Sequence, residues 1–181
     1  YDPISGHYWM VFANYRSGSY GVGLVWSDNP TDATSWNWHG NIYTHTSGGS
    51  FAPHILYDNG LWYVFFALRP DIVYITCSTI NGTYSAPTTV LSPTETWETY
   101  RVDEPYVFRR NDGTWILVYM GDSGSVTEQI GYATSEYLTG PYTKYSGNPC
   151  IPFGPAGSYD AGTVADPWVY EFHGVYYIGY T

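Results

Sequence analysis

Lysine is almost missing from this sequence. Lys144 is the only one, and lysine and arginine together number six against 16 aspartates and glutamates. The formal net charge is −10 and no basic run occurs, which argues against duplex nucleic acid or an anionic membrane as partner. Long apolar runs are also missing, since none reaches the ~18 residues a membrane helix needs. Apolar residues at helical spacing are nearly absent. Cysteine is scarce: Cys77 and Cys150 are alone, spacing cannot say whether they pair, and isolated buried thiols are the plainer reading. No glycine-rich phosphate loop, zinc-spaced Cys/His cluster or Gly-x-Ser-x-Gly elbow is present, so nucleotide, zinc and serine-nucleophile chemistries lack support. The N-terminus shows neither signal peptide nor initiator Met, and the expectation is a piece of a larger domain.

What the chain has is aromatic and strand-forming material. Hydrophobic residues make up 44% and aromatics 20%, enough to bury a core and to exclude disorder. Short runs of Val, Ile, Tyr, Phe and Trp alternate with Gly, Asn, Asp and Pro, as in an all-β chain. One template recurs: a small or acidic residue, Pro, an apolar strand, a Gly turn, then an aromatic strand. It begins at Ala52-Pro53, at Glu104-Pro105 and at Asp166-Pro167. From each Pro to the first aromatic of the next strand (Trp62, Trp115, Tyr176) is nine, ten and nine residues. Asn59-Gly60 and Asp112-Gly113 are hairpin signals, because Gly and Asn tolerate positive φ.

Third strands follow at Val22–Ser27, Val73–Ser78 and Ile130–Ser135, and weaker fourth strands near Asn41–Tyr43, Thr88–Leu91 and Tyr142–Tyr145. Four short strands per unit, repeating at 53 and then 61 residues, read as blades of a β-propeller. A β-sandwich gives no reason for an X-Pro strand start recurring in register. About three and a half blades are predicted: a blade-one remnant over 1–50, blade two over 51–101, blade three over 102–160 and the start of blade four over 161–181. His7–Phe12 fits a second strand, so blade one is expected to lack most of its innermost strand. The remainder of the ring would come from further sequence or a second chain.

In a propeller the innermost strands line a central channel, so residues flanking the recurring Pro should converge on one funnel. Asp103, Glu104 and Asp166 are the candidate catalytic residues, because carboxyls sharing a pocket raise one another's pKa and can divide acid and base roles. Phe51 and Trp168 flank the same prolines and could stack on a sugar ring. Asp160 lies close before blade four, near the rim. Trp62, Tyr63, Trp115, Tyr119 and Tyr176 are expected between blades.

Phe51-Ala52-Pro53-His54-Ile55, followed by Asp58-Asn59-Gly60-Leu61-Trp62-Tyr63, resembles the second-blade motif of glycoside hydrolase family 43. Val102-Asp103-Glu104-Pro105 is similar to that family's third-blade segment, and Ile130–Ser135 with Gly140-Pro141-Tyr142 resembles its outer-strand pattern. Families 32, 117 and 130 share much of this. The resemblance implies a five-bladed propeller acting on arabinosyl, xylosyl or galactosyl linkages of plant or algal polysaccharide, in an extracellular or periplasmic setting. It would make Asp103 the pKa modulator, put Asp166 where the acid belongs, make His54 a sugar contact, and place the base before Tyr1. No cofactor is implied, although some members hold a structural Ca²⁺ at the channel centre.

The leading expectation is an inverting glycosidase, with carboxyl groups ~6.5–9.5 Å apart. A non-catalytic glycan-binding propeller is the alternative. A phosphorylase would need a basic phosphate subsite, for which Arg109-Arg110 is the only adjacent pair.

Overall fold

The computed structural model describes residues 1–15, 20–45, 50–124 and 128–181, with the side chains of Ser50 and Phe51 outside the description. The described residues form antiparallel strands in four sheets. β1 (Tyr8–Asn14), β2 (Tyr20–Ser27) and β3 (Asn37–His45) make the first. β4 (Ser50–Asp58), β5 (Leu61–Leu68), β6 (Asp71–Cys77) and β7 (Thr88–Leu91) make the second. β8 (Arg101–Arg109), β9 (Trp115–Asp122), β10 (Glu128–Ser135) and β11 (Thr143–Lys144) make the third. β12 (Trp168–Phe172) and β13 (Val175–Gly179) make the last. Each sheet is a meander of sequential neighbours, as a propeller blade requires. Sheets of three, four, four and two strands agree with the three and a half blades expected. No helix among the described residues is long and apolar enough to cross a membrane.

Local chemistry makes the hairpins. Asn59 and Gly60 both take positive φ (46° and 85°), as do His173 and Gly174 (51° and 79°), the geometry that twists two-residue turns to match their strands. At the N-terminus Asp2 bridges His7 and the Asp2 carboxylate accepts the Ile4 and Ser5 amides, closing the turn that leads into β1.

Stacking of the sheets buries the aromatic and branched side chains. Val22 of β2 joins Val64, Phe66, Val73 and Ile75 between the first two sheets. Phe65, Ile72, Val102, Val107, Leu117 and Tyr119 fill the next interface. Ile116, Val118, Ile130, Val164 and Val169 fill the last. At ~1.5–3 kcal/mol per large apolar side chain, these clusters are the dominant favourable contribution to stacking. Cys77 is buried and Cys150 half-buried, and both are free thiols.

One irregularity repeats and positions the site. Pro cannot donate to a ladder, and at each recurring Pro two residues oppose one. Ala52-Pro53 lies opposite Phe66, between the Phe51–Ala67 and His54–Phe65 pairs. Glu104-Pro105 lies opposite Tyr119, between Asp103–Met120 and Tyr106–Val118. In the last blade Ala165 and Thr181 exchange backbone hydrogen bonds (3.0 and 2.9 Å) and Trp168 pairs Gly179, so Asp166-Pro167 lies opposite Tyr180. These are β-bulges, and the first residue of each is left-handed: φ is 47° at Ala52, 55° at Glu104 and 50° at Asp166.

Candidate active site

The bulges of blades three and four meet. The Glu104 carboxylate accepts the backbone N–H of Asp166 at 2.6 Å, so the two acidic bulge residues are direct neighbours. Asp166 is exposed, and its carboxylate accepts the Thr181 hydroxyl at 3.1 Å. Glu104 is partly buried. Burial pushes its pKa up to about 7, and the charges of Asp166, Asp103 and Glu128 add to this; the hydrogen bond from Asp166 opposes it. A carboxyl held near neutrality beside an exposed carboxylate is the arrangement that general acid–base work requires.

Asp103 is 0% exposed and belongs to the wall behind Glu104. Its Oδ1 accepts the Glu104 amide at 3.0 Å, which fixes the first bulge peptide. Its Oδ2 accepts from Arg69 Nε at 2.9 Å and from Arg101 at 3.3 Å. Burial nevertheless raises its pKa, against the pull of both guanidinium groups and the amide. Arg101 also donates to Asp122 at 3.0 Å and to Glu128 at 2.7 Å. These arginines were not apparent as site residues in the sequence. Arg69 lies in the β5–β6 turn, 34 residues from Asp103, and only the Arg101-x-Asp103 pairing at the start of β8 was a local signal.

The other expected residues are placed as follows. His54 of β4 is half-buried between blades two and three, its ring 4.4 Å from that of Tyr106, the equivalent position of the next blade. Burial pushes its pKa down to about 4, so the imidazole is neutral at pH 7; a hydrogen bond with the Val107 backbone opposes the shift. Trp168 is half-exposed on blade four. It stacks on Tyr170 (5.4 Å, 24°), which stacks on Tyr177 (5.0 Å, 13°). Asp160 belongs to the loop before blade four and folds back on it: its carbonyl accepts the Gly154 amide at 3.0 Å. A Cβ on Gly154 would stand 2.0 Å from its Oδ1. The Phe51 side chain lies outside the described residues.

Arg109 and Arg110 are at the far end of β8. Glu104 and Arg109 are five residues apart on one strand, about 16 Å at strand rise. Arg109 packs on Trp115 and Arg110 pairs Asp112 at 2.9 Å, so neither forms a phosphate subsite beside Glu104. A groove of about 750 Å³ is at that same far end, between Asp58, Asp112 and Tyr137, and is not where the carboxyls meet. Among the described residues no group of three or more His, Cys, Asp or Glu side chains is placed to hold a metal ion.

The family model for glycosyl hydrolases of family 43 matches residues 2–165. No curated protein sequence is a significant match. Among solved structures the chain resembles a thermostable family-43 glycoside hydrolase at TM-score 0.70 and 18% identity, over 91% of this chain and 58% of that one. It resembles the endo-arabinase of Bacteroides thetaiotaomicron at TM-score 0.68 and 18% identity, over 97% and 66%. It resembles the α-L-arabinofuranosidase of Lactobacillus brevis at TM-score 0.70 and 18% identity, over 93% and 59%. At these identities the likeness shows a shared fold, and the chain spans 58% of the length of the first of them. With the family model covering nearly the whole sequence, and the blade stack matching, this chain belongs to glycosyl hydrolase family 43.

Proposed function

We propose that the chain carries part of the catalytic centre of a glycoside hydrolase acting on arabinose-containing plant polysaccharide. Glu104 is the proton donor and Asp166 the carboxylate that activates water. The observation that carries this is the contact between the bulge residues: a raised-pKa Glu104 against the backbone of an exposed Asp166. Glu104 holds its proton near pH 7 and can pass it to the leaving oxygen of the scissile bond. Asp166 is open to water and can take a proton from it as the water attacks. Asp103 is fully buried and acts through Glu104: its charge helps keep Glu104 protonated.

This division departs from what the sequence resemblance implied, which put Asp166 where the acid belongs and the base before Tyr1. The reason is environment: Glu104 is the desolvated member of the pair. Trp168 supplies a flat apolar surface next to the same bulge, suited to the C–H face of a sugar. The arabinose-specific names of the endo-arabinase and arabinofuranosidase neighbours favour arabinosyl substrates. Such substrates are polymers outside the cell, which favours an extracellular or periplasmic location.

The test is hydrolysis of aryl α-L-arabinofuranosides, xylosides and arabinan by this chain and by any longer protein that carries it, with Glu104→Gln and Asp166→Asn beside the parent. The expected result is release from arabinosides that falls by ~10²–10⁴ in either variant. Turnover unaffected by both substitutions would overturn the assignment. Arabinan binding without turnover in the parent would favour a glycan-binding propeller.

A further inference from the structure

Two hydrogen-bonded routes lead from one cation to the backbone around the two bulges, one to the Glu104 amide and one to the segment just before Asp166. On one side Arg101 donates to Asp103 Oδ2 at 3.3 Å, and Asp103 Oδ1 accepts the Glu104 amide at 3.0 Å. On the other, Arg101 donates to Glu128 Oε1 at 2.7 Å, and Glu128 Oε2 accepts the Thr163 hydroxyl at 2.5 Å. The Glu128 carbonyl also accepts the Val164 amide at 3.0 Å, two residues before Asp166. A third branch anchors the guanidinium itself, through Asp122 Oδ2 at 3.0 Å at the end of β9.

We propose that Arg101 is a positioning residue: it holds blade four against blade three at the channel mouth and so fixes Glu104 relative to Asp166. The proposal rests on the glycosidase reading only for its kinetic consequence; its structural content stands without turnover. Its geometry suits the task. The Arg101 side chain is 11% exposed, and it spends three separate nitrogens on three carboxylates from the ends of β8, β9 and β10. A planar guanidinium can bridge three acceptors in fixed directions, which an ammonium group on a flexible stem cannot. Among the described residues the last blade has two strands, and Thr163 and Val164 run beside Glu128 of β10, so this polar link adds to the apolar contact of Val164 and Val169.

The Asp166 amide reports the arrangement directly, because its proton is aimed at the Glu104 carboxylate. We would follow its ¹H–¹⁵N resonance in the parent, Arg101→Gln and Arg101→Lys, with circular dichroism to confirm folding. The expected result is a low-field Asp166 amide in the parent that moves upfield toward a free amide in Arg101→Gln and only part of the way in Arg101→Lys. An Asp166 resonance unmoved in folded Arg101→Gln overturns the proposal. Should that variant fail to fold, Thr163→Val carries the test, since Thr163 is exposed and only its hydroxyl link to Glu128 is removed. A partial upfield move there supports the proposal, and none refutes it. In turnover, Arg101→Gln should lower kcat by on the order of tenfold or more while KM is kept, as expected for misplaced reacting groups. A parent without turnover would defeat the glycosidase reading and leave the amide result to decide this one.

Discussion

Glu104→Gln should make the protein more stable and less active. The folded structure raises the Glu104 pKa from an ordinary 4.5 to about 7. A raised carboxyl pKa means that the folded state binds the proton more tightly than the unfolded chain. This contribution to stability is fully present below about pH 4.5, declines as pH rises, and is gone above about pH 7. Each pKa unit is worth about 1.4 kcal/mol, so ionised Glu104 makes the fold about 3 kcal/mol less stable than neutral Glu104 does. The side chain is only partly buried and water screens part of this, so about 2 kcal/mol is the working figure.

Glutamine has the same shape, no charge, and an oxygen that can still accept the Asp166 amide. Near pH 8, Glu104→Gln should therefore be about 2 kcal/mol more stable than the parent, and near pH 4.5 the two should coincide. The raised pKa of Asp103 tilts both proteins in the same direction and largely cancels in the difference. Urea unfolding at three pH values, compared at equal m, measures it. A variant no more stable than the parent near pH 8, or equally more stable at both ends, would refute the reasoning.

Three further outcomes concern the scaffold. Gly121→Ala should destabilise by about 1–3 kcal/mol in thermal or urea unfolding, because overpacking cannot be relieved there: the new Cβ would stand 2.3 Å from Trp97 Cζ3 and 2.8 Å from Glu98 Cβ. Lys144→Met should cost about 3–5 kcal/mol, since it strands Glu98, which is 0% exposed and paired to Lys144 and to the Tyr119 hydroxyl; adding Glu98→Gln should restore part of the loss in urea unfolding. Ala52→Gly should be neutral or up to about 1 kcal/mol stabilising, because it releases a left-handed non-glycine residue at the usual entropic cost of glycine; a loss above about 1 kcal/mol would contradict the strain read from its φ of 47°.

The blades were legible because each rests on short-range chemistry. Pro53, Pro105 and Pro167 mark the inner strands, Asn59-Gly60 marks a turn that only certain residues can make, and alternating Val, Ile and aromatics mark the strands between. The site was legible only to the level of which segments converge. Asp103 and Glu104 are consecutive, and sequence alone does not say which faces the channel, because a bulge resets the alternation that would otherwise decide it. Nor does it show that Arg69 and Arg101 would claim Asp103, since one of them comes from another blade. Nor does spacing show that the segment of Asp160 closes on itself, its carbonyl accepting the Gly154 amide.

The recurrence of X-Pro has a physical reading that separates scaffold from chemistry. A left-handed non-glycine residue costs about 1–2 kcal/mol, and the residue before proline is further restricted. Among the described residues the chain accepts that strain before proline three times, at Ala52, Glu104 and Asp166. Ala52 has no group that could act on a substrate, so the bulge itself belongs to blade construction: proline interrupts the ladder and one residue opposite spans the gap. Catalysis then needs no new backbone. The fold presents the same turned-out position on each inner strand, and what differs is the side chain carried there. Blade two carries a methyl group, while blades three and four carry Glu104 and Asp166, the carboxylate of the first accepting the backbone amide of the second, and the burial of Glu104 makes the two carboxyls unequal. Function on this scaffold depends on which bulges are acidic and on what lies behind them.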